Sequence, residues 1–455
     1  MADYRGRLIL SNFRIVDAEM DRYGSILVEG GRIKTIFAED AGSALDRASR
    51  EADLIINGRT ISGSPVLMPA LVDLHAHFRD GQEALSETLE SASLAAAAGG
   101  YGTVVCMANT KPAIDTLEAA RTLKARSDAL GLIDLYPVMS LTKGMEGREL
   151  SELNALPDSR YTPRMLSEDG RDVAQDALFL TAMEEARRLG VPVSCHCDAG
   201  GPEAEAAKQR GFDRGIWSRI EENNATGRAL RLGRRAGCSL HIAHISTKEA
   251  AEFVRIEKAQ FAAQIAAQTA AQTARPPHLL TAEATPHHLA LTEEDACRLG
   301  AESHGRVNPP LRTEEDRLAI IAAILDGTID AIATDHAPHT QAAKEGGAPG
   351  FSGLETAFSV CFTELVRKGR IGLSALSRLM SAAPAGILGL GDRGRVAPGL
   401  RADFLIAELD SSRMACPASF KSRGKNSPFA GRELWGAILM TIHRGRVVFD
   451  RRLSS

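Results

Sequence analysis

Short alternations of hydrophobic and polar residues mark both ends of the chain. Residues 8–37 consist of brief apolar runs separated by Asp-Arg-Tyr-Gly and Gly-Gly. This pattern is typical of hairpins in a small antiparallel sheet. Residues 399–410 and 434–450 repeat the pattern near the other end. Because each β-rich segment needs a partner, we expect both ends to build one small β-sandwich domain from residues 1–62 and 390–455.

The middle of the chain has a different pattern, in which nearly continuous apolar runs alternate with helical stretches rich in Ala, Leu and Glu. The apolar runs occupy residues 66–77, 102–110, 133–140, 191–197, 239–246, 280–289 and 329–338. Such runs are typical of parallel strands that are buried on both faces. Seven or eight strand–helix units predict an α/β fold, and they favour a closed (β/α)8 TIM-type barrel at residues 63–389 over an open sheet. In such a barrel the chemistry lies at the C-terminal ends of the strands.

One segment departs from this order. Residues 257–277 form a run rich in Ala and Gln that ends in two prolines. The sequence leaves open whether this run extends a surface helix or forms a disordered insertion. Neither interpretation affects the candidate chemistry.

Composition and charge narrow the class of protein. The chain has 455 residues, of which 44% are hydrophobic and 25% charged, as in an ordinary globular protein with a large core. A formal charge of −4 argues against a general nucleic-acid binder. No apolar run approaches the roughly 18 residues of a membrane span, and no signal-peptide pattern is present at the N-terminus. Seven scattered cysteines, an odd number, predict a reduced, cytoplasmic protein.

Two histidines close the first predicted barrel strand. His75 and His77 stand at the end of the apolar run from Leu71. Because side chains alternate along a strand, both imidazoles face the same side, which here is the barrel interior. A single histidine at a strand end is more often structural, but a pair at this spacing suits a borderline ion such as zinc. The pair therefore predicts a metal site.

Three later strands end in further candidate ligands, which are His196, His244 and Asp335. Cys195 and Cys197 flank His196, which suggests a Cys-His-Cys metal cluster. In a strand, however, the two thiols point away from His196, so we expect buried structural cysteines that face the helices. His241 is out of phase with His244, and we expect it to face outward as well.

A fourth strand end carries the acidic pair Glu168 and Asp169, directly before Gly170. The pair could cap a helix in solvent. Alternatively, one carboxylate completes a two-metal site in which ions about 3.5–4 Å apart lower the pKa of a shared water and polarise a carbonyl oxygen. Arg79, two residues past His77, adds a fixed cation that can hold a carboxylate bidentately. Arg79 is therefore a candidate substrate anchor.

These residues lie in motifs that resemble the dihydroorotases of the amidohydrolase superfamily, specifically the longer bacterial type I enzymes. The resemblance covers nearly the whole chain. Its motifs are residues 73–79 (DLHAHFR), 98–100 (AGG), 107–110 (MANT), 167–170 (SEDG), 244–249 (HISTKE), 285–289 (TPHHL), 307–312 (VNPPLR), 333–339 (ATDHAPH), 353–356 (GLET), 426–429 (NSPF) and 431–434 (GREL). No single motif settles the matter, but their number and order do.

The resemblance implies two zinc ions per subunit. The implied ligands are His75, His77, Asp169, His196, His244 and Asp335. His75 and His77 would bind one ion, and His196 and His244 the other. Asp169 would bridge the two ions, as would the reactive water or hydroxide.

The resemblance also implies roles at the substrate. The implied substrate-binding residues are His77, Arg79, Asn109, Asn308, His339, Pro349 and Gly350. Arg79, Asn109 and His339 would hold a carboxylate. Asn308 would contact a pyrimidine ring, and the loop at Pro349 and Gly350 would close over that ring through its backbone. Asp335 would be the catalytic residue that moves the proton.

The bridge between the ions is a point of contrast with related enzymes. Many amidohydrolases use a lysine carbamylated by CO2 at the end of the fourth strand, which requires an amine at that position. This chain has no lysine between Lys143 and Lys208. We therefore expect Asp169 to be the bridge and Glu168 to point the other way.

The implied activity is the reversible cyclisation of N-carbamoyl-L-aspartate to L-dihydroorotate in de novo pyrimidine (UMP) biosynthesis, by a zinc-bound hydroxide. One alternative is another cyclic amidohydrolase, such as a dihydropyrimidinase or allantoinase, whose substrates do not call for the carboxylate anchors. A second alternative is a non-catalytic scaffold for aspartate transcarbamoylase. Such scaffolds have lost metal ligands, whereas this chain keeps every expected one. The sequence leaves open whether the chain forms a homodimer or associates with aspartate transcarbamoylase.

Overall fold

The computed structural model describes residues 6–81, 85–155, 163–197, 214–270 and 280–453. The strands in these residues are β1 (Arg7–Val16), β2 (Asp21–Glu29), β3 (Arg32–Ala38), β4 (Leu54–Asn57), β5 (Val66–Pro69), β6 (Leu71–Ala76), β7 (Tyr101–Cys106), β8 (Asp134–Pro137), β9 (Leu166–Ser167), β10 (Val193–Cys195), β11 (Leu240–Ile242), β12 (Leu280–Ala284), β13 (Ala331–Ile332), β14 (Phe404–Met414), β15 (Glu433–His443) and β16 (Arg446–Asp450).

The α-helices of the described residues mostly lie between the strands of the middle region. They span Gly42–Arg50, Leu89–Ala98, Leu117–Leu130, Asp176–Leu189, Arg214–Ala236, Lys248–Ala270, Pro286–Ala290, Glu293–Leu299, Glu314–Leu325, Gln341–Glu345, Ala357–Cys361, Leu373–Ser377 and Ala383–Ile387. The Ala/Gln-rich run continues a helix as far as Ala270, and its last residues, 271–277, lie outside the described residues. None of the helices in these ranges combines the length and apolar composition needed to cross a bilayer.

Strands β6 to β13 run parallel and close into a barrel. β6, β7 and β8 pair in order, as do β9 to β13. Two single bridges complete the circle, since Met139 beyond β8 pairs with Leu166, and Ala76 pairs with His336 beyond β13. The predicted (β/α)8 barrel is therefore confirmed. The C-terminal ends of its strands meet at one face, as the fold requires.

The two ends of the chain build one sheet beside the barrel. Its strand order is β16-β15-β14-β5-β1-β2-β3, with β4 next to β1. β2 and β3 form a hairpin whose turn residues, Gly30 and Gly31, both have positive φ, as a type I′ turn demands. β5 (Val66–Pro69) lies between β1 and β14. The sheet thus includes β5, which lies beyond residue 62, the predicted limit of the N-terminal part.

Small residues let the sheet approach the barrel closely. The helix Leu89–Ala98 packs against the barrel core through Ala92, Ala95 and Ala96. Its last two residues, Ala97 and Ala98, pack against Phe449 of β16 on the other side. A helix covered on two faces has no room for long side chains, which explains the Ala-rich sequence of this segment.

A buried cluster of charged residues also joins the sheet to the barrel. Asp134, at the start of β8, accepts a 2.6 Å hydrogen bond from Arg393 and contacts Arg401. Arg401 Nε lies 2.9 Å from Asp403, which directly precedes β14. Burial disfavours the charge of Asp134, but Arg401, His443 and Arg393 hold its pKa well below the usual range. Asp134 is therefore ionised and neutralises several buried cations.

We expect Asp134→Asn to destabilise the protein by about 3–5 kcal/mol, because it leaves buried arginines without their counter-charge. Since the folded-state pKa of Asp134 is lowered, its contribution is complete above the unfolded-state pKa of about 4 and declines progressively below it, until the pH falls through the folded-state pKa. Denaturant unfolding at pH 7 and in steps down to about pH 2 measures both effects. The control is Asp21→Asn, because Asp21 pairs with Arg14 in an exposed bridge worth at most about 1 kcal/mol. Equal losses in the free energy of unfolding for Asp134→Asn and Asp21→Asn would contradict the assignment of Asp134 as a buried counter-charge.

Candidate metal centre

The six predicted metal ligands meet at the C-terminal face of the barrel. His75 lies in β6, and the others follow the ends of β6, β9, β10, β11 and β13. All six are buried, each exposing 9% or less of its surface, and they are His75, His77, Asp169, His196, His244 and Asp335. The barrel therefore brings together residues up to 260 positions apart in the sequence (75 to 335).

Asp169 is the centre of the cluster. Its Oδ1 lies 3.1 Å from His75 Nε2 and 3.1 Å from His196 Nδ1. Its Oδ2 lies 3.5 Å from His77 Nε2. Within the second histidine pair, His196 Nδ1 lies 2.7 Å from His244 Nε2. One carboxylate thus faces the ring nitrogens of both histidine pairs.

Asp335 lies on one side of this cluster. Its Oδ1 is 3.1 Å from His77 Nε2 and 3.7 Å from His75 Nε2. The ligand atoms of His75, His77 and Asp335 all fall within 4.8 Å of one another, as do those of His75, Asp169 and His244. Two overlapping three-residue groups that share His75 are therefore available to bind metal.

Hydrogen bonds behind the histidines set which nitrogen faces the centre. His75 Nδ1 lies 3.0 Å from Glu283 Oε1, and His77 Nδ1 lies 2.8 Å from Asn109 Oδ1. Because both oxygens accept, each Nδ1 donates, and each Nε2 is the nitrogen that faces the centre and binds a metal once it is deprotonated. His75 Nε2 and Asp169 Oδ1 are buried and lie 3.1 Å apart, but neither has the geometry of a hydrogen bond with a described atom. Inward-facing ring nitrogens with oriented partners are what a metal site requires, so the residues fit a metal ion.

The charges of the two carboxylates agree with this interpretation. Burial alone would raise the pKa of Asp169, but His75 and His196 hold it well below the usual range. The pKa of Asp335 is also lowered despite burial, through its hydrogen bond to His77 and the charge of His75. Both side chains are therefore ionised, which is the form that binds metal.

The backbone is unusual at the same face. Arg79, His244 and Asp335 have φ values of +49°, +32° and +47°. Residues other than glycine rarely adopt this left-handed region, and such positions cluster at functional sites. The backbone at these strand ends departs from strand geometry. Side chains there no longer alternate between the two faces as they do along a regular strand.

Among the competing ligand candidates, Glu168 and the two cysteines agree with the prediction, whereas His241 does not. Glu168 turns away, and its carboxylate accepts hydrogen bonds from the backbone of Leu141 (2.9 Å) and Thr142 (3.1 Å). Cys195 and Cys197 are buried and form no disulfide.

His241 was predicted to face outward, and that prediction is wrong. It is fully buried, and its Nε2 lies 2.9 Å from Glu283 Oε2 inside the barrel. The positive φ of His244 breaks the alternation on which the prediction depended. Glu283 therefore lies between His75 and His241 and links them.

Glu283 is a residue of the site that sequence reasoning missed. It holds His75 from behind, and His241, then the bond to His75, lower its pKa to about 2 despite burial. The available signal was an acidic residue inside the otherwise apolar strand β12, because a buried carboxylate needs a partner.

His288 is a second omission, from the TPHHL motif. Its Nε2 donates to the carbonyl of Pro309 at 3.2 Å, and its Nδ1 lies 2.7 Å from Thr285 Oγ1. His288 thereby fixes the segment that carries Asn308.

The predicted substrate residues lie around the centre. Asn109 contacts it directly, because its Nδ2 donates to Asp169 Oδ2 at 3.2 Å. Burial and the positive charge of Arg79 lower the pKa of His339 to about 4. His339 Nε2 donates to the Pro349 carbonyl at 2.7 Å. The loop at Pro349 and Gly350 therefore contacts His339.

Asn308 and Gly350 lie on neighbouring segments. Asn308 follows Arg306 and Val307, and the carbonyl of Arg306 accepts a 3.0 Å hydrogen bond from Gly350 N. Asn308 is partly exposed, as are Arg79, Asn109 and His339. These four residues are therefore accessible to a substrate beside the buried cluster.

A cavity of about 380 Å³ opens onto the centre. Its lining includes Asp169 and Asn109, and Lys111 and Arg171 contribute positive charge. The volume is within the usual range for small-molecule sites. The cavity therefore suits a small anionic ligand beside the metal cluster.

The barrel and its cluster of histidines and carboxylates define a metal-dependent hydrolase, and the chain belongs to the amidohydrolase family, whose model matches residues 66–448. Among its relatives is a dihydroorotase of Clostridium botulinum, which is 36% identical over 98% of this chain and 100% of the relative. A dihydroorotase of Geobacillus kaustophilus is 37% identical over 94% of each chain. The Anaeromyxobacter dehalogenans dihydroorotase is 35% identical over 93% of this chain and 98% of its own.

Solved structures share the fold. The L-hydantoinase (dihydropyrimidinase) of Arthrobacter aurescens has a TM-score of 0.83 at 25% identity, covering 99% of this chain and 97% of its own. A dihydropyrimidinase from Brevibacillus agri has a TM-score of 0.80 at 20% identity, covering 98% and 95%. These similarities extend over both the barrel and the terminal sheet.

Proposed function

We propose that this chain is a dihydroorotase, which interconverts N-carbamoyl-L-aspartate and L-dihydroorotate in pyrimidine biosynthesis. The observation that carries the proposal is a buried cluster of histidines and carboxylates in direct contact with Asn109, a candidate carboxylate anchor, with Arg79 two residues beyond the candidate ligand His77. Full-length similarity to dihydroorotases supports it. The substrate is a small anionic molecule, and the adjoining cavity of about 380 Å³ carries the cations of Lys111 and Arg171.

The proposed cofactor is zinc, with two ions per chain. His75 and His77 would hold one ion, His196 and His244 the other, and Asp169 would bridge them. Nitrogen and carboxylate donors of this kind are typical zinc ligands. Zinc held by these residues would supply a positive charge that lowers the pKa of a water molecule and polarises the carbonyl oxygen of the substrate.

Asp335 is the proposed proton carrier. In ring opening, its carboxylate accepts a proton from the attacking water and delivers it to the ring nitrogen that leaves, and ring closure reverses both transfers. The ionised state of Asp335 suits the first step, and its contact with His77 at 3.1 Å orients it. Burial at the strand end excludes bulk water, which would otherwise compete for the proton.

Arg79, Asn109 and His339 are the proposed anchors of the substrate carboxylate. A guanidinium binds a carboxylate through two parallel hydrogen bonds, which fixes the angle of the ring as well as its position. Asn109 also holds His77 and Asp169, so substrate and cluster share one positioning residue. His77, Asn308 and the Pro349–Gly350 backbone are the proposed contacts of the rest of the substrate.

A second candidate function is hydrolysis of an uncharged cyclic amide, as the names of the hydantoinase and dihydropyrimidinase structures suggest for those proteins. Assays of the zinc-loaded protein with dihydroorotate, dihydrouracil, hydantoin and allantoin separate the two candidates. We expect turnover of dihydroorotate alone. Preferred turnover of an uncharged substrate would overturn the proposal, and a metal-loaded protein inactive on all four would favour a scaffold.

We expect Arg79→Lys to fold and to keep its metal, but to lose most of its kcat/KM for dihydroorotate. The reason is that an ammonium cannot reproduce the two-point geometry of the guanidinium. Steady-state kinetics with metal analysis measure both quantities. The control is Arg126→Lys. Arg126 pairs with Asp80, the residue after Arg79, but its side chain is 54% exposed. An unchanged kcat/KM in Arg79→Lys would remove Arg79 from the substrate site.

We also propose a cytoplasmic location, in keeping with cysteines that form no disulfide in the described residues. Self-association into a homodimer and association with aspartate transcarbamoylase are separate proposals. Analytical ultracentrifugation of the chain alone, and then with added transcarbamoylase, tests each of them.

A further inference from the structure

Lys344 is buried beside the candidate site without a carboxylate partner among the described residues. It lies in the short helix Gln341–Glu345 and has no accessible surface. Its Nζ donates to three backbone carbonyls, those of Arg306 (2.9 Å), Ala348 (2.9 Å) and Gly350 (3.0 Å). The three donor hydrogens of an ammonium are thereby all used on carbonyl oxygens.

A buried ammonium is costly, because it gives up the solvation of a full charge. Burial and the nearby charge of Arg306 lower the pKa of Lys344 to about 8. Part of the cost is recovered from the ring of Phe351, whose centroid is 5.0 Å from Nζ. An apolar side chain of similar length would fill the space without this desolvation. The charge of Lys344 is therefore explained by the backbone carbonyls that it holds in place.

The carbonyls held by Lys344 belong to the substrate side of the site. Gly350 N donates to the same Arg306 carbonyl that accepts from Lys344, at 3.0 Å. The Gly350 carbonyl accepts a second hydrogen bond, of 3.1 Å, from Asn426 Nδ2. Lys344 therefore joins the segment before Asn308 to the loop at residues 348–350.

The loop fits tightly against the segment that follows Asp335. Gly350 has a φ of +124°, and a Cβ there would lie 2.5 Å from the Cβ of Ala337. Between Ala348 and Gly350, the Pro349 carbonyl accepts the 2.7 Å hydrogen bond from His339 Nε2. Since the carbonyls on both sides of Pro349 are bound by Nζ, the position of the Pro349 carbonyl depends on Lys344.

We propose that Lys344 is a positioning residue for substrate binding, which acts through the Pro349–Gly350 backbone on His339 and on the face offered to the substrate ring. This inference rests on the proposed function. It concerns binding alone, because Lys344 has no contact with the candidate metal ligands in the described structure.

The first test is Lys344→Met, which keeps the length of the side chain and removes the charge and the donors. We expect the KM for dihydroorotate to rise at least about tenfold, while kcat changes less than threefold and zinc content is unchanged. The reason is that the loop stabilises the bound substrate and the transition state equally, so its loss weakens binding without slowing the chemical step. Lys344→Gln, which keeps two neutral donors, is expected to show a smaller rise in KM. It also serves as the test if Lys344→Met does not fold.

A double-mutant comparison separates positioning from general stability. Asn426→Ala removes the other donor to the Gly350 carbonyl, so its effect on KM should not multiply with that of Lys344→Met. Lys344→Met should likewise add little in a His339→Asn background. Lys368→Met is the matched control, because Lys368 is exposed and pairs with Glu364 at 2.6 Å. Its KM should equal that of the wild type.

The outcomes distinguish the two proposals. A wild-type protein without dihydroorotase activity overturns the proposed function. An active wild type with an unchanged KM in folded Lys344→Met or Lys344→Gln overturns the positioning role. Loss of zinc, a fall confined to kcat, or fully multiplicative effects on KM would also overturn it.

Discussion

Asp169→Ala is expected to lose most of its bound zinc and, with it, nearly all turnover of dihydroorotate. Its carboxylate contacts three of the four histidines within 3.5 Å, so no other residue in the described site can replace it as a bridge. Without its negative charge, two closely spaced cations would be bound mainly by neutral rings. Metal analysis by mass spectrometry after gel filtration measures the loss.

Glu168→Gln is the matched control, since it changes the neighbouring acidic residue. Its amide oxygen can still accept from the Leu141 and Thr142 backbone, and we expect metal content near that of the wild type. Reconstitution of metal-free wild type makes a second check. Zinc alone should restore full activity, and bicarbonate should add nothing. Recovery that requires bicarbonate would indicate a carbamylated lysine and contradict the assignment of Asp169.

Asp335→Asn is expected to keep much of its zinc and to lose at least about a hundredfold in kcat, the lower end for general acid–base catalysis. The amide oxygen of Asn can still reach a metal, but the amide cannot accept and return a proton. Kinetics in both directions, with metal content measured on the same samples, test this expectation.

The control for this variant is Asp326→Asn, which alters an exposed pair with Arg255 and should leave kcat unchanged. A zinc-loaded Asp335→Asn protein with near-wild-type turnover would exclude the proton-transfer role. Equal losses of metal and activity would show that Asp335 acts only as a ligand.

The sequence predicts the barrel and its cluster well because both depend on local patterns. Apolar runs mark buried parallel strands, and a polar residue at the end of each run must lie at one face of the barrel. His75 and His77 follow this rule directly. Alternation indicates that only one of Glu168 and Asp169 faces the site, and the choice of Asp169 depends on the family motif that ends in Gly170. The close contacts between these residues could be inferred without any knowledge of the connecting helices.

Features that depend on non-local contacts were not predictable in this way. His241 faces the interior because the backbone of His244 departs from strand geometry, and nothing in the local sequence shows this departure. Glu283 pairs with His75, 208 positions earlier in the chain. The buried state of Lys344 depends on carbonyls at residues 306 and 350, and the pairing of β5 with β14 joins distant segments. All of these features can be identified only from the tertiary structure.

The left-handed backbone at His244 and Asp335 has a consequence for protein engineering. A residue other than glycine in this region costs about 1–3 kcal/mol, which the rest of the fold must offset. Glycine at either position would relieve that strain and remove a candidate metal ligand at the same time. In the metal-free protein, a search for variants with higher melting temperature has no means of retaining either ligand and would accept inactive proteins. Selection for heat resistance in this chain needs metal present and activity as a second criterion.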